Sequence, residues 1–209
     1  MLWKDLQVII PAVVSIPERF NTVKGLLSQL GKQCPGVSVT IIPQDKYNPQ
    51  TAFESIHKGL QGIYAPWVFY MEDDIALSSK FGEKALDLIN TLKDDNIGAI
   101  SFFSYDVSDI ERYKNGINLY EANYPFAFAQ CLAIKLEVVL AWKEMVLNWW
   151  NSSPEYNKKS PDFCIGDCCK SLNKKIMIYI PNLAQHIRTP SAFGNTMFAI
   201  SSTFELSNN

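Results

Sequence analysis

The stretch Trp67-Val68-Phe69-Tyr70-Met71-Glu72-Asp73-Asp74 decides how the rest of the chain is read. Its five large apolar residues predict a strand covered on both faces. Three acids follow without a break, and they cannot all be core, because a buried unpaired carboxylate is costly. In an open parallel sheet, ligands gather beyond the carboxyl ends of the strands. Carboxylates clustered there repel one another, and a divalent cation relieves that repulsion. Mg²⁺ or Mn²⁺ favours such oxygen donors. Taken alone, the acids fit a solvated turn into the next helix equally well.

Upstream, Leu6 to Val14 is nearly continuous and β-branched, a second covered strand, with Pro11 marking a bulge or an edge. Pro17 and Glu18 suit the first turn of a helix, where a missing N–H is harmless and a carboxylate meets the positive dipole end. Val23, Leu26, Leu27 and Leu30 recur at helical spacing, and Gly31 is the expected stop. Val37 to Ile42 predicts a strand, and Thr51 to Leu60 a helix with Phe53, Ile56 and Leu60 on one face. His57 lies in that helix and reads as structural. Downstream of the acids, Ser78 or Ser79 is placed to cap a helix whose apolar face holds Phe81, Ala85, Leu88, Ile89 and Leu92. Ile97 to Phe103 is the next strand. Strands alternating with helices predict an α/β fold, a mostly parallel sheet with helices on both faces, in one domain.

The second half is less regular. Tyr105 to Tyr124 has no clear period, as a functional loop or lid would not. Phe126 to Ile134 predicts a strand. Leu136 to Trp150 predicts a helix in which Trp142, Trp149 and Trp150 serve packing. Asp162 to Leu172 predicts a helix opened by an acid, and Ile176 to Ile180 a final strand. His186 follows that strand.

Composition narrows the function. The chain has 209 residues, 47% hydrophobic and 19% charged, which excludes an intrinsically disordered protein. Nineteen Lys and Arg face 21 Asp and Glu, so the basic excess of a phosphate-backbone binder is missing. Lys158, Lys159, Lys170, Lys174, Lys175 and Arg188 nonetheless offer a local basic face. Five cysteines without a CxxC pair read as reduced thiols. Cys164 and Cys168 lie four apart, but zinc would need further ligands nearby. No apolar run reaches the ~18 residues of a membrane span. The first residues lack the pattern of a signal peptide, so a cytoplasmic location is expected, in a host cell if the protein is viral.

The acidic triplet after the third strand and the histidine after the last strand come in a telling order. Together with Val13-Val14-Ser15-Ile16-Pro17-Glu18-Arg19, Pro161-Asp162-Phe163-Cys164-Ile165-Gly166-Asp167, Lys175-Ile176-Met177-Ile178-Tyr179-Ile180-Pro181, Gln185-His186-Ile187 and Ser191-Ala192-Phe193-Gly194, the chain resembles a small nucleotide-sugar-dependent glycosyltransferase of the GT-A type. The resemblance runs from about Gln7 to Asn195. It implies a Rossmann-like GT-A domain, with residues 1–103 as the nucleotide-binding half and 104–209 as the acceptor and metal half.

The resemblance also implies roles. Glu72-Asp73-Asp74 takes the place of the family's DxD motif, with Glu in place of the first Asp. Asp74 and His186 would hold Mn²⁺ or Mg²⁺, and Glu72 and Asp73 would meet the ribose or the ion's water shell. Ser15, Pro17, Arg19, Gln44 and Asp45 would bind the nucleotide, and Gln130 would line the donor-sugar pocket. Read from the residues alone, Arg19 fits a solvated helix position as well as a diphosphate contact, and Asp45 fits a turn. An inverting member needs a base for the acceptor hydroxyl. Asp162 matches that place best and Asp167 is the second candidate, while a helix N-cap is the plain alternative for Asp162. The implied acceptor is a saccharide intermediate or a hydroxymethylated DNA base. A nucleotidyltransferase would carry a Gly-rich, Arg- or Lys-bearing loop after the first strand, which is not seen. A non-catalytic nucleotide-sugar-binding module is the third reading.

Overall fold

A strand is buried on both faces only if helices cover both, and the successive residues of the central strands, which are buried and feed opposite cores, show how this is done. The structure is a computed structural model that describes residues 1–13, 15–44, 49–126, 129–151, 161–187, 200–201 and 203–204. The strands are β1 (Gln7–Ala12), β2 (Ser38–Pro43), β3 (Trp67–Met71), β4 (Ile75–Leu77), β5 (Ile97–Ser101), β6 (Leu119–Glu121), β7 (Cys131–Lys135), β8 (Lys175–Tyr179) and β9 (Ala184–His186). The α-helices are α1 (Pro17–Gln33), α2 (Pro49–Gly59), α3 (Phe81–Thr91), α4 (Asp109–Lys114), α5 (Leu136–Asn151) and α6 (Pro161–Ser171). Seven strands form one sheet in the order β2-β1-β3-β7-β5-β8-β6, and β4 pairs with β9 in a small second sheet. β1, β2, β3, β5 and β8 run one way, and β6 and β7 run against them.

Val8, Ile10, Phe69 and Met71 join one buried cluster with residues of α1 and α3. Ile9, Val68 and Tyr70 join a second with Phe53 of α2, Trp142 of α5 and Cys164 and Cys168 of α6. The period-two alternation of β1 and β3 thus feeds two cores, one per face. Trp142 is fully buried, in keeping with its packing role.

Several expectations need correction. Pro11 makes no bulge. It lies in register opposite Ile42, and β1 pairs with β3 only over Gln7–Ile9, so no ladder bond is asked of its missing N–H there. Gly31 does not end α1, which continues to Gln33; the glycine that turns the chain is Gly36, at φ +79°. Neither Ser78 nor Ser79 is the N-cap of α3. Lys80 holds that position without a side-chain cap, because the chain first forms β4. The irregular stretch contains α4 and β6, and the strand expected to be final is followed by one more, β9. The strand expected from Phe126 starts at Cys131.

Gly82 marks where α3 crosses the end of α1. A Cβ there would lie 2.1 Å from the Gln33 carbonyl oxygen. The Gly82 N–H also donates to Gln33 Oε1 (3.1 Å), and its carbonyl accepts from Trp3 Nε1 (3.0 Å). Gly82→Ala is therefore expected to lower stability by about 1–3 kcal/mol through overpacking. Urea unfolding checks this, and an unchanged midpoint contradicts it.

Candidate active site

β3 lies in mid-sheet, between β1 and β7, so its carboxyl end opens onto the edge where β1, β5 and β8 also end. Glu72, Asp73 and Asp74 form the turn that leaves this edge for β4. β9 then pairs with β4, setting His186 opposite Ile75, and the Ile187 N–H donates to the Asp74 carbonyl (2.7 Å). This short ladder carries the histidine across about 110 residues of sequence to the acidic turn. His186 Nε2 lies 3.2 Å from Asp74 Oδ2 and 3.9 Å from Glu72 Oε2. One donor atom from each of Glu72, Asp74 and His186 falls within a span of 4.8 Å. Two carboxylates and an imidazole at that spacing fit a divalent cation of the Mg²⁺ or Mn²⁺ kind.

Asp73 points the other way. Its Oδ2 accepts from the Val13 N–H (2.8 Å), and Arg19 Nη1 donates to its Oδ1. Arg19 Nη2 donates to Asp74 Oδ2 (2.8 Å), so one guanidinium spans both acids. Thr22 Oγ1 lies 2.7 Å from the carbonyls of both Arg19 and Asp73, tying the first turns of α1 to the acidic turn. Asp73 is 3% exposed and Arg19 6%. Arg19 is thus buried and paired with both acids rather than solvated.

Burial pushes the Asp73 carboxyl up to about 6, against the pull of the Arg19 guanidinium and the Val13 N–H. A raised value means that the fold favours the neutral acid. Its contribution to stability is fully present below about 3.8, the ordinary value, and is lost as pH rises through about 6. From pH 3.5 to 7.5 the wild type should lose about 3 kcal/mol that Asp73→Asn does not lose. Urea midpoints of both proteins across that range check it, and parallel profiles contradict it.

The remaining predicted residues divide. Ser15 and Pro17 are exposed beside the carboxyl end of β1. Gln44 is buried, and its N–H donates to the Ala12 carbonyl (2.8 Å). The Gln130 carbonyl accepts from the Glu72 N–H (2.9 Å), and its buried Oε1 has no hydrogen-bond partner among the described residues. Asp45, Val14, Lys158, Lys159, Arg188 and Ser191-Ala192-Phe193-Gly194 lie outside the described residues. Asp162 is the second residue of α6. That helix ends beside the start of β8, so its first turn lies toward the carboxyl edge of the sheet. Asp167, five residues on, accepts a hydrogen bond from Tyr124 (2.5 Å), away from the acidic turn.

Tyr124 belongs to a groove of 460 Å³ on the opposite edge, which Lys170, Lys174 and Lys175 also line. Their charges are largely engaged there. Lys174 pairs with Glu137 (2.9 Å) and Lys175 with Glu121 (3.1 Å), while Lys170 lies over the Tyr124 ring. The stretch Tyr105 to Tyr124 is organised by buried Asp109, which accepts from Arg112 (2.6 Å) and Tyr120 (2.7 Å). Thr22 was not anticipated at the site. The signal was its place three residues after Arg19, on the same side of α1.

No protein-family model matches the chain, and no curated protein is similar to it in sequence. Solved structures are similar in fold. A glycosyltransferase involved in the glycosylation of the major capsid of PBCV-1 superposes with a TM-score of 0.57 at 10% identity, over 90% of this chain and 94% of that one. The inositol-1-phosphate CTP transferase of T. maritima superposes at 0.50 with 10% identity, over 97% and 94%. A Drosophila β1,4-galactosyltransferase 7, in complex with manganese, UDP-Gal and xylobiose, superposes more loosely, at 0.48 with 11% identity, over 98% and 79%. The chain has the GT-A glycosyltransferase fold: one Rossmann-like, mostly parallel sheet with helices on both faces. Among the described residues no helix is long and apolar enough to cross a membrane.

Proposed function

We propose that the protein is a divalent-metal-dependent glycosyltransferase that moves a sugar from a nucleotide-diphosphate sugar to a hydroxyl acceptor. The observation that carries this reading is the convergence of Glu72, Asp74 and His186 at the carboxyl edge of a GT-A sheet. These three residues would hold Mn²⁺ or Mg²⁺. When bound, such an ion supplies Lewis-acid stabilisation of the diphosphate leaving group. Asp73 holds Val13 and Arg19, and so fixes the turn on which Glu72 and Asp74 stand. Ser15, Pro17 and Gln44, beside the carboxyl ends of β1 and β2, border the nucleotide. Gln130, whose side-chain oxygen has no hydrogen-bond partner among the described residues, lines the donor-sugar pocket. Asp162, in the first turn of α6, takes the proton of the attacking hydroxyl in an inverting transfer.

The acceptor is a saccharide. A hydroxymethylated DNA base would call for a free basic face, and Lys174 and Lys175 are paired with Glu137 and Glu121. The likeness to a CTP transferase keeps nucleotidyl transfer in view as a second reading. One assay separates the two. The purified protein is incubated with Mn²⁺ and either nucleoside-diphosphate sugars or nucleoside triphosphates plus sugar phosphates. Release of nucleoside diphosphate from the sugar donors is expected. Release of pyrophosphate from triphosphates instead would overturn the proposal.

A further inference from the structure

We infer that Arg19 is a resident counter-cation of the acidic turn, one that competes with the divalent ion for Asp74 and sets how tightly that ion is held. This inference rests on the metal reading of Glu72, Asp74 and His186.

Three observations carry it. The Asp74 oxygen that accepts from Arg19 Nη2 at 2.8 Å is the same Oδ2 that faces His186 Nε2 at 3.2 Å. The guanidinium thus sits on the Asp74 oxygen that faces the histidine of the candidate cation site. The arginine is also fixed in place. It spans Asp73 and Asp74, its side chain is 7% exposed, and Thr22 locks its backbone to that of Asp73. Finally, a guanidinium does not lose its proton in a protein, so this positive charge is present at every working pH.

Two consequences follow. Asp73 and Asp74 are neighbouring buried carboxylates, and removing a cation from such a group leaves a costly uncompensated charge. Arg19 supplies that cation whether or not metal is bound, so the fold does not depend on the ion. A dication at Asp74 must in turn share its carboxylate with a fixed positive charge, and like charges this close repel. The ion is therefore held more weakly than its three donors alone would hold it, which allows exchange along with the nucleotide product. Arg19 is a positioning residue here, acting through Asp74.

The test is Mn²⁺ titration followed by electron paramagnetic resonance of the free ion. It compares wild type, Arg19→Gln and Arg19→Lys, with far-UV circular dichroism to monitor folding. Arg19→Gln should bind Mn²⁺ at least about tenfold more tightly than wild type. Arg19→Lys keeps the charge but not the fork that spans both acids, so its affinity should fall between those of wild type and Arg19→Gln. A folded Arg19→Gln with unchanged or weaker affinity overturns the inference. Should Arg19→Gln be unfolded without metal, folding on addition of Mn²⁺ supports the inference, and failure to fold at saturating Mn²⁺ overturns it. If wild type binds Mn²⁺ and Arg19→Gln gains nothing, this inference alone fails. If none of the three proteins binds Mn²⁺, the metal reading fails and takes the inference with it.

Discussion

Asp74→Ala is expected to lower transfer by about 10³-fold, roughly 4 kcal/mol of transition-state stabilisation. Asp74 is the acid at which Arg19, His186 and the β4–β9 ladder meet. Its carboxylate is 2% exposed, so no solvent molecule readily takes its place. The variant keeps the Arg19–Asp73 pair and the hydrogen bond from Ile187 to the Asp74 backbone, so the turn should survive. The loss should therefore appear as lost Mn²⁺ dependence in a folded protein. Measuring nucleoside-diphosphate release with and without Mn²⁺, beside circular dichroism, checks this. A folded Asp74→Ala with wild-type metal-dependent turnover would contradict the assignment.

The second large effect concerns the base. Asp162→Asn should reduce turnover by about 10²–10⁴-fold while leaving donor binding within about threefold, because an amide keeps the shape but cannot take a proton. Asp167→Asn should stay within about threefold of wild type. Its carboxylate is engaged by Tyr124, beside the groove at the opposite edge of the sheet. Single-turnover rates at saturating donor separate the chemical step from binding. Collapse of the Asp167 variant with a normal Asp162 variant would exchange the two roles. Full activity in both would contradict an aspartate base on α6.

Sequence patterns reveal covered strands well and pairings between distant short segments poorly. β3 and the acids after it are legible because five consecutive apolar residues meet three charges, a contrast with few structural readings. The helices α1, α2 and α3 follow from spacing that a 3.6-residue period enforces, α5 from its run of large apolar residues and α6 from the acid that opens it. β4 and β9 are each three residues long, and neither looks like a strand until the other lies beside it. β6 is hidden for the same reason, as its pairing with β8 is fixed across more than fifty residues. Arg19 shows the limit at the level of the site. Its helical position is legible, but its burial is not, because that depends on two acids 54 and 55 residues away. Glu72 is legible as part of the triplet. What brings it into the candidate ligand set is the arrival of His186, a tertiary event.

If Glu72, Asp74 and His186 form a metal site serving a nucleotide diphosphate, ion and diphosphate must stabilise the fold together. The most direct test is the thermal midpoint of the wild-type protein with nucleoside diphosphates and nucleotide-sugars, each with and without Mn²⁺. Ligand that binds only the folded state stabilises it by about 2.7 kcal/mol at a hundredfold excess over its dissociation constant. A rise of several degrees is expected, one that requires both Mn²⁺ and a diphosphate and that His186→Ala abolishes. No shift with any diphosphate, or a shift that His186→Ala leaves intact, would contradict it.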